Sequence, residues 1–363
     1  GGTGGHIYPA VAIAEKIREK QPDSEILFIG TEAGMEKDIV PEKGFDIRFV
    51  KVRGFYRRKI WRNISVVSEL LRASRDIRGI LRSFKADIAV GAGGYVSGPV
   101  IREAHKLGIK TCVHEQNACP GLSNILAERY ADRVLLAFEE GRRRFRNQKK
   151  LAVTGNPVRE NFIRIGVGES RAKLGAGPDE FVLLCFGGSR GAMRLNETIL
   201  EILDNIGKIR DMRLYWITGR IYYADIAGKI AARRPAGPDR AAVIEYTDQM
   251  HLYLAAADLV VGRSGAITVS ELAARGRPSI LIPSPNVTGN HQYFNAKALA
   301  DKGAAVLIEE KELTPERLLN EITRLHGDKG LLSRMRAAAG SLGRLDAAER
   351  IYSELMDIYS RGD

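Results

Sequence analysis

Two glycine-rich turns of the same kind, about half a chain apart, constrain this sequence more than any other feature. Gly1-Gly2-Thr3-Gly4-Gly5-His6 opens it, and Gly187-Gly188-Ser189-Arg190-Gly191-Ala192 follows the apolar run Phe181–Phe186. Each leads into a segment with helical spacing of apolar residues. A glycine turn between strand and helix lets a ligand approach the backbone and aims N–H groups and the positive helix end at an anion. Two such turns predict two similar domains facing one phosphorylated substrate. A turn of this kind should follow a strand, so a short strand is expected ahead of Gly1.

Short, continuous β-rich runs alternate with helical patterns along the whole chain. In the first half they are Ile26–Ile29, Ile88–Val90, Thr111–His114, Val134–Ala137 and Ala152–Thr154. In the second they are Phe181–Phe186, Leu214–Thr218, Ala242–Tyr246, Leu259–Val261, Ser279–Ile282 and Ala305–Ile308. Runs of this kind separated by helices read as buried parallel strands, so the fold class is α/β with doubly wound sheets. Residues 1–160 are expected to form one domain and 161–342 a second. Residues 166–178, with Gly166, Gly168, Gly175, Gly177 and Pro178, read as the linker region before the second strand series. Residues 343–363 are helical, with Ala347, Ile351, Leu355 and Ile358 on one side, and either close the second domain or cross back to the first.

At 363 residues and 44% hydrophobic composition, the chain is long enough for two ordinary domains. No apolar run approaches the ~18 residues of a membrane span, and no signal peptide is expected. Cys112, Cys119 and Cys185 show no metal-ligand spacing and read as structural cysteines of a reducing compartment. Neither a metal site nor a cofactor is expected. The net charge of +12 is uneven. Residues 1–160 hold 29 Lys and Arg against 19 Asp and Glu, whereas residues 161–363 hold 27 against 25. Within the first half, residues 51–85 hold 11 basic and 2 acidic residues. Such asymmetry predicts an anionic surface as partner.

Three strand-end loops in the second half form a candidate site. At Gly187–Ala192, Ser189 can offer its hydroxyl to phosphate beside the backbone N–H groups, although a glycine turn can also serve packing alone. Gly262-Arg263-Ser264-Gly265-Ala266-Ile267-Thr268 is another strand, turn and helix start. Glu271 falls in that helix's opening turns, where a carboxylate can accept bonds from vicinal ribose hydroxyls or simply favour the helix dipole. In Pro283–Asn290 and the following helix, Asn290, His291, Gln292 and Asn295 crowd one helix start, either as caps or as readers of sugar hydroxyls. Phosphate donors, a ribose acceptor and a hydroxyl-reading loop together make a nucleotide-sugar site.

The first turn fits neither a dinucleotide fingerprint nor a P-loop. It offers His6, which can take a proton from an attacking hydroxyl near neutral pH or merely cap its helix. Gly91–Pro99 and His114-Glu115-Gln116-Asn117 follow the strands at Ile88 and Thr111 and read as further ligand contacts. Arg53-Gly54-Phe55-Tyr56-Arg57-Arg58-Lys59-Ile60-Trp61-Arg62 mixes bases with aromatics. The next helical segment sets Arg72, Arg75, Arg78 and Arg82 close to one face, accompanied by Leu70, Leu71, Ile77 and Leu81. Basic residues around exposed apolar ones suit an anionic lipid surface. A solvated charged face is the plainer alternative. No nucleic-acid motif occurs, and no nucleic-acid partner is expected.

Gly1–His6, Gly93–Pro99, His114–Asn117, Gly155-Asn156-Pro157-Val158-Arg159, Gly187–Ala192, Arg263–Ala266 and His291–Ala296 occur in that order. Taken together, these motifs resemble the MurG family of bacterial peptidoglycan glycosyltransferases over essentially the whole chain. The resemblance implies a GT-B fold, two Rossmann-like domains with an interdomain cleft. It also implies transfer of N-acetylglucosamine from UDP-N-acetylglucosamine to the 4-hydroxyl of the muramyl sugar of lipid I (undecaprenyl-pyrophosphoryl-MurNAc-pentapeptide), giving lipid II and UDP. The family inverts the anomeric centre, uses no metal or other cofactor, and works peripherally on the cytoplasmic face of the cell membrane.

By the same resemblance, residues 1–160 face the acceptor and the membrane, and residues 161–342 bind the UDP-sugar. Glu271 would hold the ribose hydroxyls, and Ser189 with the backbone of Ala266, Ile267 and Thr268 the diphosphate. Arg159 and Asn117 would contact the donor, His291 and Gln292 its sugar hydroxyls, and the backbone at Thr247 its uracil. Thr3, Gly4 and Gly5 would line the acceptor side, with His6 as general base. Asn290, Thr247 and Gln249 depart from the residues common in the family. A UDP-sugar epimerase on the same fold is the alternative activity.

Overall fold

The computed structural model describes residues 4–52, 63–188, 191–233 and 240–361, with backbone alone given for 63–71 and 233. The chain forms two compact units, one of Gly1–Pro157 with Asp346–Asp363 and the other of Val158–Leu345.

In the first unit, β1 (Leu27–Gly30) pairs in parallel with β2 (Asp46–Phe49). A second parallel sheet runs in chain order through β3 (Ile88–Gly91), β4 (Lys110–Glu115), β5 (Arg133–Leu136) and β6 (Leu151–Val153). The helices are α1 (Gly4–Lys20), α2 (Glu36–Glu42), α3 (Asn63–Phe84), α4 (Gly94–Lys106) and α5 (Leu122–Ala127). Side chains alternate faces along a strand, and both faces of this sheet are covered. Val113, Val134 and Leu136 cluster with Ile77 and Leu81 of α3 and with Val96, Val100 and Ile101 of α4. Cys112 and Leu135 cluster instead with Ile13 of α1 and with Ile351, Leu355 and Ile358 of the helix Ala347–Ser360. Full burial of each large aliphatic side chain contributes roughly 1.5–3 kcal/mol.

The second unit holds β7 (Phe181–Phe186), β8 (Met212–Ile217), β9 (Ala241–Ile244), β10 (Leu259–Gly262), β11 (Ser279–Leu281) and β12 (Ala305–Leu307), all parallel. Their order in the sheet is β12-β11-β10-β7-β8-β9. Its helices are α6 (Glu160–Arg164), α7 (Val167–Leu174), α8 (Met193–Gly207), α9 (Tyr223–Arg233), α10 (Met250–Ala256), α11 (Ala266–Ala274), α12 (His291–Ala300), α13 (Pro315–Gly327) and α14 (Lys329–Leu342). The strand order reverses between β7 and β10. Doubly wound sheets bind ligands at that point, outside the carboxyl ends of the strands. Local chemistry sets several boundaries. Thr314 caps α13 by accepting from Arg317 N, ahead of Pro315 in the first turn. Buried Trp216 donates its ring N–H to Asn196 Oδ1 at 3.0 Å, and Asn196 donates to Thr218 O at 2.9 Å, joining α8 to β8.

The α/β fold read from the apolar runs is the fold observed, and each run lies within two residues of a strand. Three local readings change. Strand β2 was not expected: Asp46-Ile47-Arg48-Phe49 lies mostly exposed and, among the described residues, pairs with β1 alone, so it lacks the continuous apolar signature of a buried strand. Residues 167–174, read as linker, form α7. Its glycines lie at its start and at Gly175, which ends the helix in the left-handed conformation. In α3, Ile77 and Leu81 are buried in the core rather than exposed among the arginines, because they line the stripe that faces α4. Arg72, Arg75 and Arg82 lie exposed, and Arg78, also exposed, reaches back to Glu103 of α4, with Nε 3.2 Å from Oε2. Residues 53–62 and the side chains of Leu70 and Leu71 lie outside the described residues.

Candidate functional site

In the second unit, the glycine turn after β7 enters α8, whose N-cap is Ala192. Gly191 sits at φ +74° with its α-carbon turned against the carbonyl of Thr218, so a side chain there would be both strained and blocked. Ser189 lies outside the described residues. On the other side of the switch point, β10 ends at Gly262 and α11 opens at Ala266 with Gly265 as N-cap. The N–H groups of Ala266, Ile267 and Thr268 make up that first turn. They have no acceptor within the helix and stand at its positive end, an arrangement suited to a phosphate.

Glu271 follows on the second turn of α11 and does not act as a cap. Its side chain is 9% exposed, with Arg159 Nη2 at 3.7 Å from Oε1. Burial pushes the Glu271 carboxyl up to about 7, opposed by the Arg159 guanidinium. Arg159 precedes α6 as its N-cap residue and lays its guanidinium over the Phe162 ring, 4.5 Å from the centroid. A buried carboxyl beside a half-exposed cation is able to accept hydrogen bonds from a pair of hydroxyls.

The loop after β11 is fastened to the same place. Ser264 Oγ donates to Gln292 O at 2.8 Å, and Asn295 Nδ2 donates to Ser264 O at 3.2 Å. Ser284 N donates to Gln292 Oε1 at 2.9 Å. Arg263 donates to the carbonyls of Ile282 and Pro283, each at 3.1 Å, and pairs with Glu310. His291 Nδ1 lies 2.6 Å from Thr288 O. Asn290 precedes α12 in the left-handed conformation and makes no side-chain cap bond. The fold thus gathers Ala266, Ile267, Thr268, Glu271, Arg159, His291 and Gln292 through contiguous contacts. Thr247 lies in the loop after β9, two strands from β7, where its hydroxyl accepts from Gln249 N at 3.0 Å.

In the first unit, α1 begins at Gly4, so Gly4, Gly5 and His6 lie in its first turn. Thr3 lies outside the described residues. His6 does more than cap: its Nδ1 is 3.1 Å from Gln116 Oε1 at the end of β4. Gln116 Nε2 in turn lies 3.1 Å from Ala92 O, 3.0 Å from His114 O and 3.0 Å from His114 Nδ1. His114 Nε2 lies 3.2 Å from Gly155 O. Burial pushes the His114 imidazole down to about 4. Gly93, at φ +90°, backs the His6 ring so closely that an added β-carbon would stand 2.8 Å from Nδ1.

Asn117 Nδ2 donates to Glu115 Oε1 at 3.1 Å. The same buried carboxylate accepts from Asn117 N at 2.9 Å, Gly121 N at 2.9 Å and Asn124 Nδ2 at 2.8 Å. Burial raises the Glu115 carboxyl, against the lowering effect of those N–H donors. Glu115 and Gln116, read from the sequence as further ligand contacts, are buried and instead support Asn117 and His6. Among the described residues, no group of three or more His, Cys, Asp or Glu is placed to hold a metal ion.

Comparison with known proteins agrees with this arrangement. The glycosyltransferase family 28 N-terminal domain model matches residues 1–136, and the C-terminal domain model matches 182–351. The UDP-N-acetylglucosamine–N-acetylmuramyl-(pentapeptide) pyrophosphoryl-undecaprenol N-acetylglucosamine transferase of Acetivibrio thermocellus is 44% identical over 99% of this chain and 96% of its own. Its counterpart in Alkaliphilus oremlandii is 42% identical over 99% and 98%. The crystal structure of Acinetobacter baumannii MurG superposes with a TM-score of 0.79 at 27% identity, covering 98% of this chain and 97% of that one. A putative UDP-N-acetylglucosamine 2-epimerase from Listeria monocytogenes shares the fold at a TM-score of 0.69 and 17% identity, covering 100% and 96%. By full-length kinship and by the GT-B fold of its two α/β units, the chain belongs to glycosyltransferase family 28, among the MurG proteins.

Proposed function

We propose that this protein transfers N-acetylglucosamine from UDP-N-acetylglucosamine to the muramyl 4-hydroxyl of lipid I, forming lipid II and releasing UDP in peptidoglycan synthesis. The observation that carries this reading is the kinship of nearly the whole chain with transferases named for that reaction. The epimerase reading has only the shared fold behind it, at 17% identity.

The residue roles in this reading are those that the family resemblance implies, and the helix start at Ala266 with Glu271 behind it supports them. The second unit holds the donor. Glu271 accepts from the ribose hydroxyls, and Ser189 with the first turn of α11 at Ala266–Thr268 receives the diphosphate. Arg159 and Asn117 contact the donor, His291 and Gln292 read its sugar hydroxyls, and the backbone at Thr247 meets uracil. The first unit, with Thr3, Gly4, Gly5 and His6, serves the acceptor. The acceptor oxygen forms the new bond to the anomeric carbon as the bond from that carbon to the β-phosphate oxygen breaks. His6 takes the hydroxyl proton, and UDP leaves with the electron pair. Negative charge grows on the diphosphate during this displacement, so N–H groups already aimed at it stabilise the transition state more than the ground state. Inversion follows from attack opposite the leaving group.

No helix among the described residues is long and apolar enough to cross a membrane. A peripheral contact with anionic phospholipid through the region Arg53–Arg82, on the cytoplasmic side of the cell membrane, fits a lipid-linked acceptor. The exposed arginines of α3 support that reading.

The test is UDP release from UDP-N-acetylglucosamine and a lipid I analogue. Release that requires both substrates is the expected outcome. Epimerised sugar formed from UDP-N-acetylglucosamine alone, followed by NMR, would establish the alternative.

A further inference from the structure

The hydrogen bonds around Gln116 admit only one direction. Gly155 offers a carbonyl, which can only accept, so His114 Nε2 at 3.2 Å carries a proton. The His114 ring is buried and neutral, which leaves Nδ1 as its lone-pair nitrogen. Gln116 Nε2 is within 3.1 Å of the carbonyls of Ala92 and His114 and of His114 Nδ1, all of them acceptors. That end of the side chain is therefore the NH2 group, and Oε1 must face His6. An amide oxygen only accepts, so His6 Nδ1 at 3.1 Å carries the proton. The backbone of Gln116 is held too, because Asn156 Nδ2 donates to its carbonyl at 3.0 Å.

We propose that Gln116 is a positioning residue that fixes the tautomer of His6. It holds the proton on Nδ1 so that Nε2 is the basic nitrogen of the neutral ring, and it is itself oriented by His114, Ala92 and Gly155. The device does for His6 what a carboxylate does for the histidine of a hydrolase triad. An amide sets the tautomer without adding a charge. Gly93 at φ +90° closes one edge of the ring, and a side chain there would push His6 off the amide. The proposal rests on His6 being the general base, but its structural half can be read without turnover.

Two variants and two readouts test it. Nitrogen NMR of histidine-labelled protein, with the His6 signals assigned by their loss in His6→Asn, should show His6 protonated at Nδ1. Gln116→Met keeps the bulk and removes the acceptor. It should shift His6 toward the Nε2-protonated form and lower kcat by about 10- to 100-fold, less than the roughly 10²- to 10⁴-fold that a general base itself supplies, while KM for UDP-N-acetylglucosamine stays within about twofold. An Nε2-protonated His6 in the native protein, or an unchanged tautomer in Gln116→Met, would overturn the proposal. If the tautomer responds as expected while His6→Asn retains full kcat, the relay stands and the assignment of His6 as base is what fails.

Discussion

Arg159 and Glu271 meet at 3.7 Å, the first at the N-cap of α6 and the second on the second turn of α11. Only the carboxylate is well buried, and desolvation outweighs its partner's pull. The carboxyl is left near 7, so its charge responds to whatever binds beside it.

If ribose hydroxyls donate to Glu271, they favour its charged form and donor binding expels a proton. UDP-N-acetylglucosamine has no phosphate that titrates near neutrality, so its affinity should rise with pH up to about 7 and level off above. Calorimetry in buffers of different ionisation enthalpy should detect the released proton. Glu271→Gln should abolish both effects, and Glu271→Ala should weaken binding by roughly 1–3 kcal/mol. A flat pH response in the native protein would remove Glu271 from the ribose site.

His114 makes the stability of the fold depend on pH in a lower window. Its folded-state value is depressed to about 4, from an ordinary 6.5. The unfolded chain therefore binds the proton first as pH falls. The contribution of His114 is complete above about 6.5 and drains away toward pH 4, on the order of 3 kcal/mol for a shift of this size. Denaturant titrations across that window should show a shallower acid slope for His114→Gln than for the native protein. Equal slopes would mean that the buried ring is not what titrates.

Two glycines of the turn after β7 separate strain from crowding. Gly188 and Gly191 both have positive φ, but only Gly191 is backed by the Thr218 carbonyl. Gly188→Ala should cost about 1 kcal/mol from backbone strain alone. Gly191→Ala should cost more and also weaken UDP binding by moving the turn. Thermal unfolding and UDP titration of the two variants provide the comparison.

The exposed arginines on α3 bear on the membrane reading. Charge reversal at Arg72, Arg75 and Arg82 should reduce binding to vesicles containing anionic phospholipid, with a strong dependence on salt. UDP affinity should be unchanged. Equal binding of native and reversed proteins to anionic vesicles would count against this face.

The sequence made the sheets legible because buried parallel strands are continuous apolar runs, and β7 through Phe181–Phe186 needs no other signal. It hid β2, an edge strand with alternating polar residues, and α7, whose flanking glycines resemble a loop. In α3 the arginines were visible, but the facing of Ile77 and Leu81 was decided by α4. The site divides in the same way. Helix starts at Ala266 and His291 follow from local pattern, whereas the part played by Gln116 depends on carbonyls at Ala92 and Gly155, far off in sequence and aligned only by the strands.

The helix Ala347–Ser360 completes the cluster around Cys112 and Leu135, yet it is separated from the rest of that unit by all of Val158–Leu345. During synthesis the ribosome must add the 188 residues of Val158–Leu345 before that helix emerges, on the order of 10–40 s at ordinary elongation rates. Throughout this interval Ile13, Cys112 and Leu135 lack their last cover, while the contiguous second unit is free to fold as it appears. The half begun first is thus the half finished last, and its incomplete sheet face is the surface a nascent chain must keep from aggregating.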